Sequence, residues 1–263
     1  MRPRWPQRQH WPFVLVLLAC AFVVWMYWTN EDNDGKPDAV RGGGTYLPVL
    51  ARGDGHMMYL MARSTALDLD WDFKNDLGAF GDPWVQPINA RTGRKENPHP
   101  IGPALVWTPL VWIAQAGAAV ANVFGAEIPG HGYTEWHQRF VFLSSVLAAI
   151  AAVLLGRKLA LQLIGGRWAA AYAAIAVLLG TSLTYYATYM PSYGHALDAA
   201  ACAAFLGVWA LTIGRLAWRR FVVLGALLGI AMLVRVQEVA LGVVVAIEVG
   251  WMIAGDLLRR AIY

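Results

Sequence analysis

Charge-free apolar runs of membrane-spanning length recur along this chain, separated by short basic turns and by one long mixed segment near its start. The first, Trp11–Thr29, has 19 residues without a charge, about 28 Å as a helix against a hydrocarbon core of roughly 30 Å. Further apolar stretches cover residues 101–125, 140–156, 168–189, 194–214 and 221–254, the last long enough for two short spans. This pattern predicts an all-α polytopic membrane protein with about six transmembrane helices and a long first external loop carrying juxtamembrane helices. Arg2, Arg4 and Arg8 precede the first run as a signal peptide's basic region would. The run nevertheless ends in Trp25-Met26-Tyr27-Trp28, with no small-residue cleavage site, and reads as an anchor.

Charge placement orients the spans. If residues 101–125 crossed, the turns with Arg157, Lys158 and Arg167, and then Arg215, Arg219 and Arg220, would face outward, against the positive-inside rule. If that run lies along or dips into the outer face, all six cations are cytoplasmic, as are the N-terminal arginines and Arg259 with Arg260. Pro103 and Pro109 interrupt the run, and Gln115 and Asn122 lie within it, so a juxtamembrane or re-entrant helix hairpin is expected there. Residues 1–10 then form a cytoplasmic N-terminus, 11–29 the first span and 30–139 an external loop. Residues 140–263 hold five further spans, with both termini inside an inner (plasma) membrane. Residues 221–234 make the shortest of these spans, about 21 Å.

Composition narrows the class without adding elements. Hydrophobic residues make up 58% and charged residues 14%, against about 45–50% and about 25% in soluble domains. Cys20 and Cys202 fall in apolar runs and read as small buried hydrophobes rather than a bridge. The formal charge of +4 is carried by the cytoplasmic turns. Residues 30–101 hold eleven acids and eight bases, a net of −3, so nucleic acid is not an expected partner whereas membrane lipids are.

The external segment is where chemistry is expected. Arg52-Gly-Asp-Gly-His-Met-Met-Tyr-Leu-Met-Ala-Arg63 reads as an acidic N-cap, Asp54, followed by a helix with Met57, Leu60, Met61 and Ser64 on one face. The helix dipole holds a carboxylate there ionised, and capping alone also explains it. Asp68-Leu-Asp-Trp-Asp-Phe-Lys-Asn-Asp76 alternates acid with apolar residues like a short strand or extended edge. A calcium loop is excluded there because Phe73 stands where the sharp-turn glycine belongs. Residues 30–35 begin a similar loop but meet Arg41 at the twelfth position, and read as a solvated linker. Lys95-Glu-Asn-Pro-His-Pro-Ile-Gly-Pro103 is a proline-fixed approach to the 101–125 run. At the outer span ends, His195 and Asp198 share a helix face beside Tyr185, Tyr186, Tyr189 and Tyr193, with Arg235, Gln237 and Glu238 at the next external turn. Glu248, deeper in the last span, is expected to pair within the bundle.

Taken in order, the outward Gly-Asp-Gly-His, the Asp68–Asp76 stretch, His-Pro-Ile-Gly-Pro and the basic Gly-Arg-Lys turn resemble the GT-C superfamily of membrane glycosyltransferases. The likeness is to the branch of protein O-mannosyltransferases and the lipid A aminoarabinose transferase, over residues 11 to about 245. It implies transfer of a sugar from a polyprenyl-phosphate donor to an acceptor hydroxyl of a lipid, glycan or protein at the external face. Asp54 matches the family's essential acid and becomes the base. Lys95, Arg235 and Arg63 are candidates for the phosphate and His99 for a hydrogen bond to it; His56, Asp76, His195 and Asp198 complete the substrate-binding candidates. Ser192 follows Met190-Pro191 where relatives often carry an acid, so the resemblance leaves a divalent metal open. These enzymes generally continue with several more spans, which implies an N-terminal half, a truncated paralogue, or a module with a partner subunit. The alternatives from other classes are a transporter or flippase component, with His195, Asp198 and Glu248 lining a path, and an inactive assembly subunit.

Overall fold

The computed structural model describes residues 10–30, 50–82 and 85–262, with side chains to residue 255. The basic N-terminus through residue 9, residues 31–35 of the expected linker, and the side chains of Arg259 and Arg260 lie outside the described residues. Among the described residues ten α-helices follow in chain order: α1 Trp11–Thr29, α2 Asp54–Arg63, α3 Lys74–Phe80, α4 Gly102–Val123, α5 Glu135–Ile164, α6 Arg167–Gly180, α7 Ser182–Thr188, α8 His195–Thr212, α9 Trp218–Val234 and α10 Gly242–Ile262. Among the described residues there is no strand, only an isolated antiparallel bridge between Ile88 and Lys95.

α1, α4, α5, α8 and Val236–Gly255 are long and apolar enough to cross a membrane, and α6 with α7 forms a sixth candidate bent by 58°. The bend falls at Gly180 and Thr181. Thr181 leaves the helix in extended conformation and its hydroxyl caps α7 by accepting from the Leu183 amide, so a single 168–189 helix is not formed. α9, at 17 residues, occupies the stretch expected to form a short span before Arg235, but it is not one of the helices long and apolar enough to cross. A 3₁₀ turn, Val236–Leu241, then joins it to α10.

α5 is the mast of the bundle. At 30 residues it is about 45 Å long, well beyond a hydrocarbon core of roughly 30 Å. Thr134 caps its start by accepting from the His137 amide, and Gly165 ends it in left-handed conformation. α1 runs antiparallel along it. The Arg157 guanidinium lies 4.7 Å over the Phe13 ring at one end, and the Tyr27 hydroxyl donates to the Arg139 carbonyl at 2.6 Å at the other. α6 and α8 pack on the remaining length, where the Ser145 hydroxyl donates to the Pro191 carbonyl at 2.6 Å.

Residues 102–123 form one continuous helix rather than the expected hairpin, with Pro109 inside it. α2, α5 and α9 all pack against α4, and that burial holds the proline-bearing turn in register. Its bonds to α5 cluster near that helix's start. Trp107 Nε1 donates to Ser144 Oγ at 3.1 Å, Trp136 Nε1 to the Ala114 carbonyl at 2.9 Å, and His137 Nε2 to Gln115 Oε1 at 2.8 Å. α4 thus lies along the Tyr27 end of α5 and not the Arg157 end.

The 68–76 stretch is not a strand. A π-helical turn, Ser64–Asp68, continues α2, Leu69 takes φ 58°, and two Asx turns lead into α3. Asp70 Oδ1 accepts from the Asp72 amide and Asp72 Oδ1 from the Lys74 amide. Each acid satisfies the backbone two residues on, which removes the need for a neighbouring strand.

Candidate functional site

α2 carries Asp54, and its surroundings make it part of the core. Met57, Leu60, Met61 and Ser64 are buried as the periodicity requires, but so are Gly55, His56, Tyr59 and Ala62. Tyr59 and Tyr133 are edge-on at 5.3 Å, and Phe80 stacks on Tyr133 at 4.3 Å. The Tyr59 hydroxyl donates to the Gly132 carbonyl at 2.6 Å. Each such buried aromatic or aliphatic side chain contributes about 1.5–3 kcal/mol.

The helix begins one residue earlier than a capping Asp54 would require. Gly53 is the N-cap and Asp54 the first helical residue, with no side-chain cap bond. The carboxylate still sits in the first turn, where the free amides favour an anion. Both neighbouring glycines are explained by the turn between α7 and α8. Gly53 has φ +49°, and a Cβ there would stand 2.5 Å from the Tyr193 hydroxyl; a Cβ on Gly55 would stand 2.8 Å from the Ser192 backbone carbonyl carbon. The start of α2 is therefore seated directly on Ser192-Tyr193, with the Arg52 amide donating to Ser192 Oγ at 3.4 Å. Gly55→Ala should cost about 1–3 kcal/mol through this contact. A thermal unfolding midpoint equal to that of the parent protein would show that the turn can yield.

Seating α2 on that turn gathers residues from four segments. The Asp54 carboxylate lies within electrostatic reach of His99, Tyr193 and His195. Burial raises the Tyr193 hydroxyl above its ordinary pKa, with the Asp54 charge adding to it, so it stays protonated. Burial lowers His99 against the pull of Asp54. The His99 turn is tied to α2 through Asn97, which donates to the Met57 carbonyl at 2.5 Å and accepts from the His99 amide. His195 Nδ1 accepts from Arg235 Nη1 at 3.0 Å, which leaves the ring proton on Nε2, and Tyr186 packs 4.0 Å from the ring centroid. Arg235 also lies 3.6 Å from Asp198.

The other sequence-predicted residues stand apart from this group. Arg63 Nη1 pairs with Asp68 and, at 2.7 Å, with Asp76; its Nε donates to the His131 carbonyl, and its guanidinium lies over Phe80 at 5.2 Å. Burial raises Asp76 to about 6 despite Arg63. Lys95 pairs with Asp82 at 2.5 Å. His56 Nδ1 accepts from the Tyr133 hydroxyl and Nε2 donates to the Gly81 carbonyl at 2.9 Å, and burial holds the ring neutral. These residues tie α2, α3 and the turns around Asp82, Lys95 and Gly132 together.

Cys20 and Cys202 are both free, yet Cys202 is more than a small hydrophobe. Its thiol faces Glu238 at 3.2 Å and Asp198 at 3.7 Å. One ligand atom from each of Asp198, Cys202 and Glu238 lies within 4.8 Å of the others. The set does not fit a divalent ion well: it offers two carboxylates and a thiol engaged with both, and Arg235 already supplies the compensating positive charge. The sequence places Tyr193 beside His195, Glu238 beside Arg235 and Ser192 after Met190-Pro191 without making any of them a site candidate; the paired glycines around Asp54 were the available signal for a close backbone approach. No family model, no curated protein and no solved structure matches the chain.

Proposed function

We propose that the protein is an integral-membrane glycosyltransferase that moves a sugar from a polyprenyl-phosphate donor to an acceptor hydroxyl on the outer face. The observation that carries this reading is the meeting of Asp54 with His99 and the His195–Arg235 pair. A carboxylate at a helix start and a guanidinium–imidazole pair are the two functions such a transfer needs. Asp54 takes the proton of the acceptor hydroxyl as its oxygen attacks C1. The bond from C1 to the phosphate oxygen breaks, and its electron pair leaves with the polyprenyl phosphate, with inversion at C1. Arg235, and His195 through Nε2–H, meet the growing phosphate charge, as pre-placed donors do where charge develops. Ser192 and Tyr193 hold Asp54 in position. No step is assigned to a metal.

The outward orientation is part of the same proposal. With Arg157, Lys158, Arg167, Arg215, Arg219 and Arg220 in the cytoplasm, α4 belongs to the outer half of the bundle, which agrees with its bonds to the Tyr27 end of α5. Gly130 is exposed in the turn between α4 and α5. A Gly130→Cys variant in intact cells should react with an impermeant maleimide from outside; reaction only after permeabilisation would reverse the assignment. The chemistry is tested by giving the purified protein a radiolabelled polyprenyl-phosphate sugar with candidate acceptors. Transfer or slow hydrolysis of the donor is expected, and complete inertness would favour an assembly subunit.

A further inference from the structure

A cavity of about 370 Å³ is lined in part by His99, and Asp54 is not among its lining residues. That volume falls within the usual range for small-molecule sites, about 300–1,000 Å³. One wall is apolar, with Met61 of α2 and the buried Phe73, and Trp71 presents its ring at 53% exposure. Much of the polar lining comes from the turn that closes the Ile88–Lys95 bridge. Asn89 builds it: its amide donates to the Arg94 carbonyl at 2.9 Å and its Oδ1 accepts from the Arg91 amide at 2.8 Å. Thr92, Arg94 and Glu96 alternate along this arm and all line the cavity, whereas Lys95 between them turns away to Asp82.

Neither a lipid tail nor a bare anion suits this enclosure. Trp71 is a membrane-interface residue by type, but Asp70 and Asp72 flank it in sequence and Arg94 and Glu96 line the same cavity. An acyl chain would have to desolvate those charges. A phosphate attracted by Arg94 would meet the Glu96 carboxylate. What the lining offers is a mixed set: guanidinium donors from Arg94, a hydroxyl from Thr92 that donates and accepts, and the Glu96 carboxylate, whose Oε1 already accepts from Asn89 Nδ2 at 2.7 Å and whose other oxygen can accept as well. The same lining includes the exposed Trp71 indole. A pyranose has this same duality, with a C–H face that stacks on an aromatic ring and a rim of hydroxyls that each donate and accept.

We propose that this cavity binds a saccharide, stacked on Trp71 and held at its rim by Thr92, Arg94 and Glu96, and that this saccharide is the acceptor. Saccharide binding stands on the cavity alone; the acceptor role rests on the transferase reading. His99 lines the cavity and also lies within reach of Asp54, so a ring seated on Trp71 presents a hydroxyl past His99 toward the base.

The test uses the full chain in lipid nanodiscs, free of glycoside detergents. Maltose, cellobiose and diacetylchitobiose serve as probes, with a neutral hexapeptide as competitor, and binding is read by saturation-transfer NMR on the sugar C–H protons. At least one disaccharide should bind. Trp71→Ala and Arg94→Ala should each weaken it at least tenfold, Trp71→Phe should keep most of it, and Trp168→Ala, at an exposed tryptophan opening α6, should leave it unchanged. Absence of binding by all three sugars, binding indifferent to Trp71 and Arg94, or displacement by the hexapeptide would overturn the proposal. Asp54→Asn should bind the disaccharide as the parent does. Binding without any sugar transfer would sink the transferase reading and leave the saccharide site standing; transfer without disaccharide binding would do the reverse.

Discussion

Asp54→Asn should lower the rate of sugar transfer by about 10²–10⁴-fold, the usual contribution of a positioned general base, while the protein still folds and inserts. The substitution keeps the shape of the side chain, so the contacts of Gly53 and Gly55 with Tyr193 and Ser192 are undisturbed. What it removes from stability is the favourable placement of a charge at the start of α2, about 0.3–1 kcal/mol. Activity and stability therefore separate. A capping or purely electrostatic role for Asp54 would give a small loss of both, whereas a base gives a large loss of turnover with nearly unchanged unfolding. Asp54→Glu keeps the carboxylate but moves it away from the His99–His195 group, so it should retain partial activity. Rates measured under donor saturation decide the matter, and full activity of the Asn variant would remove Asp54 from the mechanism.

The helices were the legible part of this chain. In runs such as Trp11–Thr29 and α8, apolar length alone forces the assignment, because a backbone in hydrocarbon must satisfy its own hydrogen bonds. The breaks were not legible: Pro109 lies inside an unbroken α4, and the bend falls instead at Gly180–Thr181, where the threonine hydroxyl caps the next helix. The Asp68–Asp76 stretch misled because alternation of acid and apolar residues is common to an edge strand and to successive Asx turns; which forms depends on a neighbouring strand, and the described residues contain none. The site was legible in its members more than in its partnerships. Asp54, His99, His195, Asp198 and Arg235 do come together, but nothing local tells that Lys95 is taken by Asp82 or Arg63 by Asp68 and Asp76. Those pairings join residues 13 or fewer positions apart through the turns around α3, and pair choice among many charges is a tertiary property.

Neutralising Glu248 should be among the most destabilising single changes outside the site. Sequence reasoning placed this acid deep in the last span, paired within the bundle. It is paired, but at the level of the turn between α8 and α9. Its carboxylate accepts from Arg220 Nη2 at 2.6 Å, from the Gly214 amide at 2.7 Å and from Trp209 Nε1 at 3.0 Å. Arg220 in turn donates through Nε to Thr212 Oγ1 at 2.7 Å. The two side chains are 4% and 6% exposed, so neither charge has water to fall back on. Among the described side chains of α10, Glu248 is the one that is buried, and the rest of that helix meets the bundle loosely. The ion pair is therefore the clasp by which α10 is held. Glu248→Gln leaves the Arg220 charge buried without its counter-ion, at a cost of about 3–5 kcal/mol, whereas replacing both residues together, Arg220→Met with Glu248→Leu, should come close to the parent protein or exceed it. The single variant should open the α10 backbone to protease at temperatures where the parent is resistant, and the double variant should restore protection. Equal protection of all three proteins would mean that α10 is held by its apolar contacts and that the pair contributes nothing to its docking.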